Sequence, residues 1–103
     1  MKLVIRPEAD HDLADAYLWY VSKSDDLAQR LKDDFEDLLN LIQSMPHGFP
    51  KVYGEIRKAR LHTFPYYVHF LVKDETIFVL SVTHTKRHPD VWKRLPRNPS
   101  ERG

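Results

Sequence analysis

The chain has 103 residues, 42% of them hydrophobic, no cysteine and a formal net charge of +1. A chain of this size makes one domain that buries roughly 60–70% of its unfolded surface, and without cysteine it holds no disulfide, Cys-ligated zinc or iron–sulfur cluster. No apolar run approaches the ~20 residues of a membrane span, and the three apolar residues at 3–5 are too few for a secretion signal, so the cytoplasm is the expected location.

Charge is divided unevenly along the chain. Residues 1–50 sum to −5 and residues 51–103 to +6. Such a split points to a basic face for an anionic or acidic partner. Leu3-Val4-Ile5 reads as a first strand. Pro7 opens a helix, with Glu8, Asp10 and Asp12 near its positive end. Ala9, Leu13, Ala16, Tyr17 and Tyr20 recur at three and four and give one apolar face, which Leu18 and Trp19 are expected to widen. Ser24 is a natural N-cap for a second helix. There Leu27, Leu31, Phe35, Leu38 and Ile42 form the clearest stripe in the chain, thickened by Leu39 and Leu41. Asp33, Asp34, Glu36 and Asp37 are assigned mostly to the other faces. Pro46, Gly48 and Pro50 end the helix.

The period then changes. A strand is expected over 56–61, with Ile56, Lys58 and Arg60 on one side and Arg57, Ala59 and Leu61 on the other. A second strand follows over 66–72, with Tyr66 and Tyr67 on opposite faces. Lys73-Asp74-Glu75 turns into a third over 76–83. That last strand organises the chain: Ile77 to Val82 is a continuous apolar run, rich in β-branched residues and too short for a typical helix. It ends in the basic cluster His84, Lys86, Arg87 and His88. One helical turn is expected over 90–95, and 96–103 reads as a polar, mobile tail. The predicted fold is α+β, in the order β-α-α-β-β-β. A helical hairpin packs on one face of a mostly antiparallel sheet, a short C-terminal helix follows, and residues 1–95 form a single domain.

Standard chemical motifs are missing. Three glycines in all leave no phosphate loop, and there is no Gly-x-Ser-x-Gly elbow or His-Glu-x-x-His pair. His84 and His88 are four apart but span a strand end and a loop, with no third ligand indicated, so no metal and no cofactor is expected. The basic residues carry more. If their strands are near neighbours, Arg57, Lys58, Arg60, Lys86 and Arg87 share one region that suits phosphate backbone or an acidic protein segment. With His62, His84 or His88 as acid or base, such a patch has the elements of RNA cleavage. Equally, lysine and arginine on the open face of an edge strand discourage aggregation and need no partner.

Three stretches carry a resemblance to a known family. They are 6–13 leading into Ala16-Tyr17-Leu18-Trp19-Tyr20, then 52–66, then 77–92. In their order and spacing the chain resembles the RelE/ParE superfamily of bacterial toxins, and the ParE-like, plasmid-stabilisation branch more closely. The resemblance implies the toxin of a type II toxin–antitoxin pair, neutralised by a cognate antitoxin. That antitoxin is expected to be of ribbon-helix-helix type with an acidic tail, in a hetero-oligomer. RelE-type members cut messenger RNA on the ribosome with basic residues and a tyrosine or histidine near the carboxyl end. ParE-type members resemble poisons of DNA gyrase. Carried over residue by residue, a ribonuclease would rest on Arg60, His84 and Arg87. A target- or antitoxin-binding surface would use Arg57, Lys58, Arg60, Lys86, Arg87 and Trp92. No tyrosine follows Tyr67, and Trp92 stands near where a RelE-type tyrosine belongs, which favours the gyrase poison. A ribosome-dependent ribonuclease and a degenerate toxin that only binds its antitoxin are the alternatives.

Overall fold

Residues 1–86 are described by the structure, a computed structural model. The expected terminal turn at 90–95, the tail at 96–103, and Arg87, His88 and Trp92 lie outside the described residues. The elements run β1 (Lys2–Ile5), α1 (Pro7–Val21), α2 (Asp25–Ser44), a 3-10 turn (Pro46–Gly48), β2 (Lys51–Tyr53), β3 (Ile56–Arg60), β4 (Tyr66–Lys73) and β5 (Thr76–His84). They form one five-stranded sheet in the order β1-β5-β4-β3-β2. Only β1 runs parallel to its neighbour β5, and the helical hairpin carries the chain from β1 at one edge of the sheet to β2 at the other. The remaining pairs are antiparallel.

The helices take the positions their sequences dictate. Pro7 starts α1 with no side-chain cap, and Glu8 and Asp10 sit in its first turn. The Ser24 hydroxyl caps α2 by accepting from the Leu27 N–H at 3.3 Å. Leu31, Phe35, Leu38 and Ile42 are buried against Ala59, Val68, Phe70, Ile77, Val79 and Val82 of the sheet, with Ala9 and Ala16 of α1 in the same core. Some assignments change. Leu18 and Trp19 are 63% and 55% exposed, Leu41 is 45% exposed, and Leu27 at the start of the α2 stripe is 36% exposed, so they lie outside the core. Asp34 is buried at 8% exposure instead of facing water.

A fifth strand, β2, was hidden in the sequence. It is three residues long, and Gly54-Glu55 returns the chain directly from Tyr53 to Ile56. Gly54 has φ 54°, where glycine costs least. At the other hairpin, Asp74 and Glu75 have φ 52° and 59°. Two positive φ values match the twist of a two-residue hairpin, here without the glycine that makes them cheap.

The apolar run of β5 is explained by a bulge. His69 pairs with Ser81 but Phe70 pairs with Val79, leaving Leu80 as the extra residue. The bulge shifts the alternation by one. Ile77, Val79 and Val82 therefore join the helix-side core, while Phe78 and Leu80 join a second cluster with Ile56 and Leu71 on the opposite face.

Candidate functional site

The basic residues of β3 diverge. Arg57 faces the helical side, opposite Phe70. Its Nη1 donates to the Phe49 carbonyl at 2.6 Å and to the His47 carbonyl at 3.3 Å, so it clamps the segment leading into β2. Lys58 points to the other face, where its Nζ stands 4.4 Å from the centre of the Tyr67 ring. Arg60 is exposed at the end of β3 and donates to the Leu61 carbonyl. It lines a cleft of about 560 Å³ with His62 and with Asp33 and Asp37 of α2. Lys86 is exposed beyond β5, and its backbone N–H donates to His84 Nδ1 at 3.0 Å. β4 lies between β3 and β5, which sets Arg60 and Lys86 on strands about 10 Å apart. Among the described residues the structure thus brings Arg60 and His62 together and keeps Arg57, Lys58 and Lys86 in separate surroundings.

Each histidine near this region has its own environment. His62 is exposed on the β3–β4 loop. His84 is half-buried, its ring edge-on to Tyr66 at 5.2 Å. His69 is 2% exposed beside Ser81, with its Nδ1 3.2 Å from the Ser81 hydroxyl. Burial, helped by the nearby Lys58 charge, lowers its pKa from 6.5 to about 4, so it is neutral at pH 7. Burial also raises the pKa of Tyr66, with Tyr20 adding to the effect, and the phenol stays protonated. Among the described residues no group of three His, Asp or Glu side chains could hold a metal ion, and no helix is long and apolar enough to cross a membrane.

Two carboxylates, Asp12, expected to serve the α1 dipole, and Asp34, expected away from the core face of α2, hold backbone instead. Asp34 accepts the backbone N–H groups of His62, Thr63 and Phe64 at 3.0, 2.8 and 3.1 Å. It fixes the loop that carries His62 and follows Arg60. Asp12 of α1 accepts the Val82 N–H at 3.0 Å, on the side of β5 where β1 has ended. The signal was present. Asp34 falls three after Leu31 and four before Leu38, and Asp12 three after Ala9 and four before Ala16, so both stand within the apolar stripes. A carboxylate in a stripe faces the sheet and needs donors there.

The helical hairpin adds an apolar surface. A groove of about 310 Å³ runs between Leu13, Ala14, Tyr17 and Leu18, edged by Asp10 and Lys32. Trp19 belongs to a separate cleft with Asp15, Tyr66 and Val82, where it stands edge-on to Tyr20, with Lys23 Nζ 5.1 Å from its ring centre.

The comparisons with known proteins agree with this architecture. The family described as "ParE toxin of type II toxin-antitoxin system, parDE" matches residues 3–89. "Toxin ParE2" of Mycobacterium tuberculosis, in two strains, is 29% identical over 90 residues, covering 86% of each chain. A solved structure described as "Chromosomal ParDE TA system from P. aeruginosa" superposes with a TM-score of 0.74 at 24% identity, covering 84% of this chain and 97% of that one, and shares its fold. The family match spans every described element from β1 to β5, and on that ground the chain belongs to the ParE toxin family of type II toxin–antitoxin systems.

Proposed function

We propose that this toxin is a non-enzymatic poison of DNA gyrase in the cytoplasm, restrained by a cognate antitoxin of ribbon-helix-helix type with an acidic tail. The observation that carries the choice over RNA cleavage is the state of its histidines. A ribonuclease must activate a 2′-hydroxyl, stabilise the phosphate's extra charge and protonate the leaving oxygen. His69 is buried and neutral, Tyr66 holds its proton, and His84 Nδ1 is occupied by the Lys86 N–H. Lys58, Arg60 and Lys86 are then contacts for a protein partner, joined in this reading by Arg87 and Trp92, which lie outside the described residues. Arg57 supports the fold under the same reading, since its guanidinium is held by the 47–49 backbone.

A second reading keeps one observation in its favour. Arg60 and His62 share a cleft, with His62 exposed. Expressing the toxin alone in cells separates the two. A gyrase poison raises DNA-damage signalling before messenger RNA is lost; a ribonuclease reverses that order, and a degenerate toxin does neither. For the antitoxin, an acidic segment on Lys58 and Arg60, with apolar side chains along the Leu13–Leu18 groove, suits the exposed surface. Its association rate falls as salt rises, because screening removes the steering between opposite charges.

A further inference from the structure

A second stripe of α1 opens a cleft beside the sheet. Asp15, Ala16 and Trp19 follow Asp12 at intervals of three, four and seven, which sets all four along one side of the helix. With Tyr66 of β4 and Val82 of β5 they line a space of about 260 Å³. The aromatic rings here brace one another. Trp19 stands edge-on to Tyr20 at 4.8 Å, Tyr20 to Tyr66 at 6.5 Å and Tyr66 to His84 at 5.2 Å. Trp19 is still 55% exposed, and its ring already attracts a cation, the exposed Lys23, whose Nζ lies 5.1 Å from the ring centre. The two carboxylates differ in duty. Asp12 accepts the Val82 N–H at 3.0 Å. Asp15 stands 3.7 Å from His11 Nε2, with side chains 68% and 76% exposed. An exposed pair of that kind contributes little, so Asp15 can exchange it for a better-placed cation.

We propose that this cleft takes the guanidinium of an arginine from the antitoxin, laid against Trp19 and bonded to the Asp15 carboxylate. Ring faces attract cations, indole most strongly, and arginine is the commoner partner. Its planar fork can stack on a ring and bond a carboxylate through two N–H groups at once, which a lysine ammonium cannot do. Two carboxylates at the cleft repel phosphate, which disfavours nucleic acid as the occupant. The antitoxin is the source because the cleft adjoins the Leu13–Leu18 groove: Leu18 follows Asp15 by three on the same helix. That choice of source rests on the groove contact put forward above. The cleft is separate from Lys58 and Arg60, so it reads a basic group where they read acidic ones.

The test follows the indole N–H resonances of the full chain by NMR, with Trp19→Phe identifying the Trp19 signal. N-acetylarginine methylamide, its lysine counterpart and its glutamine counterpart are titrated at constant ionic strength. The proposal expects a saturable Trp19 shift with the arginine compound, several-fold weaker binding of the lysine compound and none of the glutamine one. Asp15→Asn should weaken the arginine compound several-fold. Lys23→Gln should tighten it, because a competing cation leaves the ring. Circular dichroism checks that these exposed substitutions keep the fold. Equal shifts with all three compounds, equal binding of arginine and lysine, or an affinity unmoved by Asp15→Asn would overturn the proposal. The same titration of the co-purified toxin–antitoxin complex tests the source. There the arginine compound should no longer move Trp19, and a Trp19 signal that still responds would overturn the assignment to the antitoxin. Amide shifts at Leu13 and Leu18 on complex formation report the groove contact separately, so its failure is told apart from failure of the cleft.

Discussion

Removing the Asp34 carboxylate should loosen the β3–β4 loop and cost more than an ordinary surface acid. Its two oxygens accept three backbone N–H groups, and the side chain is 8% exposed. Hydrogen bonds to a charged acceptor contribute about 1.5–3 kcal/mol each. The three do not add fully, because His62 and Thr63 are exposed and water can replace the carboxylate there. The Phe64 N–H is buried and keeps its full desolvation penalty, about 1–3 kcal/mol. Asp34→Ala should therefore cost about 3–4 kcal/mol. Asp34→Asn keeps one acceptor and turns an NH2 group towards the donors, so it should recover little. Urea denaturation measures the loss as a lower midpoint at unchanged slope, and hydrogen exchange at residues 62–64 should accelerate ahead of the sheet. Two variants within ~0.5 kcal/mol of the parent, with unchanged exchange in the loop, would show that these bonds do not hold it.

Three further outcomes are expected. Phe35→Ala, at a side chain 3% exposed in the main core, should cost about 3–5 kcal/mol; melting within a degree or two of the parent would place the packing elsewhere. His69 takes up its proton in the unfolded chain at its ordinary pKa of 6.5 but in the folded chain only near 4. Folding stability is therefore lost as pH falls from 6.5 towards 4, by about 2 kcal/mol at pH 5; His69→Gln should flatten that slope, and an identical slope in the variant would rule the histidine out as its source. At the β4–β5 turn, Asp74→Asn with Glu75→Gly should stabilise by about 1 kcal/mol, since left-handed backbone costs an ordinary residue about 1–2 kcal/mol and glycine returns part of that as entropy. An unchanged or lower midpoint would mean that Asp74 and Glu75 make compensating contacts.

Much of the fold was legible because its signals are local. Ser24 as a cap, the Leu31–Phe35–Leu38–Ile42 stripe and the break at Pro46 each belong to one short window, and each stands where the sequence placed it. The reading failed where a decision is made across the sheet. β2 is three residues long and owes its strand to the turn at Gly54-Glu55 and to pairing with β3. Leu18 and Trp19 satisfy helical spacing, yet the sheet beneath α1 is already covered by Ala9, Leu13, Ala16, Tyr17 and Tyr20. Even the Ile77–Val82 run, correctly read as a buried strand, concealed the bulge that sends Leu80 to one face and Val82 to the other.

The candidate site shows the same division. Residue type marked the cations, but their directions depend on the pleat and on neighbours. Arg57 and Lys58 are adjacent in sequence and leave opposite faces of β3, one to a backbone carbonyl and one to an aromatic ring. Asp34 was the reverse case: its position in the stripe was visible, but its meaning required knowing that the β3–β4 loop brings three unpaired N–H groups to that spot.

The central claim meets its most direct test in a supercoiling assay with purified gyrase, relaxed plasmid, ATP and increasing amounts of this toxin. The account predicts that supercoiling falls with toxin and returns when the cognate antitoxin is added, with ribosome-bound messenger RNA left intact in a parallel reaction. Full supercoiling at every toxin concentration, together with new ribosome-dependent cuts that vanish in His84→Ala or Arg87→Ala, would contradict it and make the protein a ribonuclease.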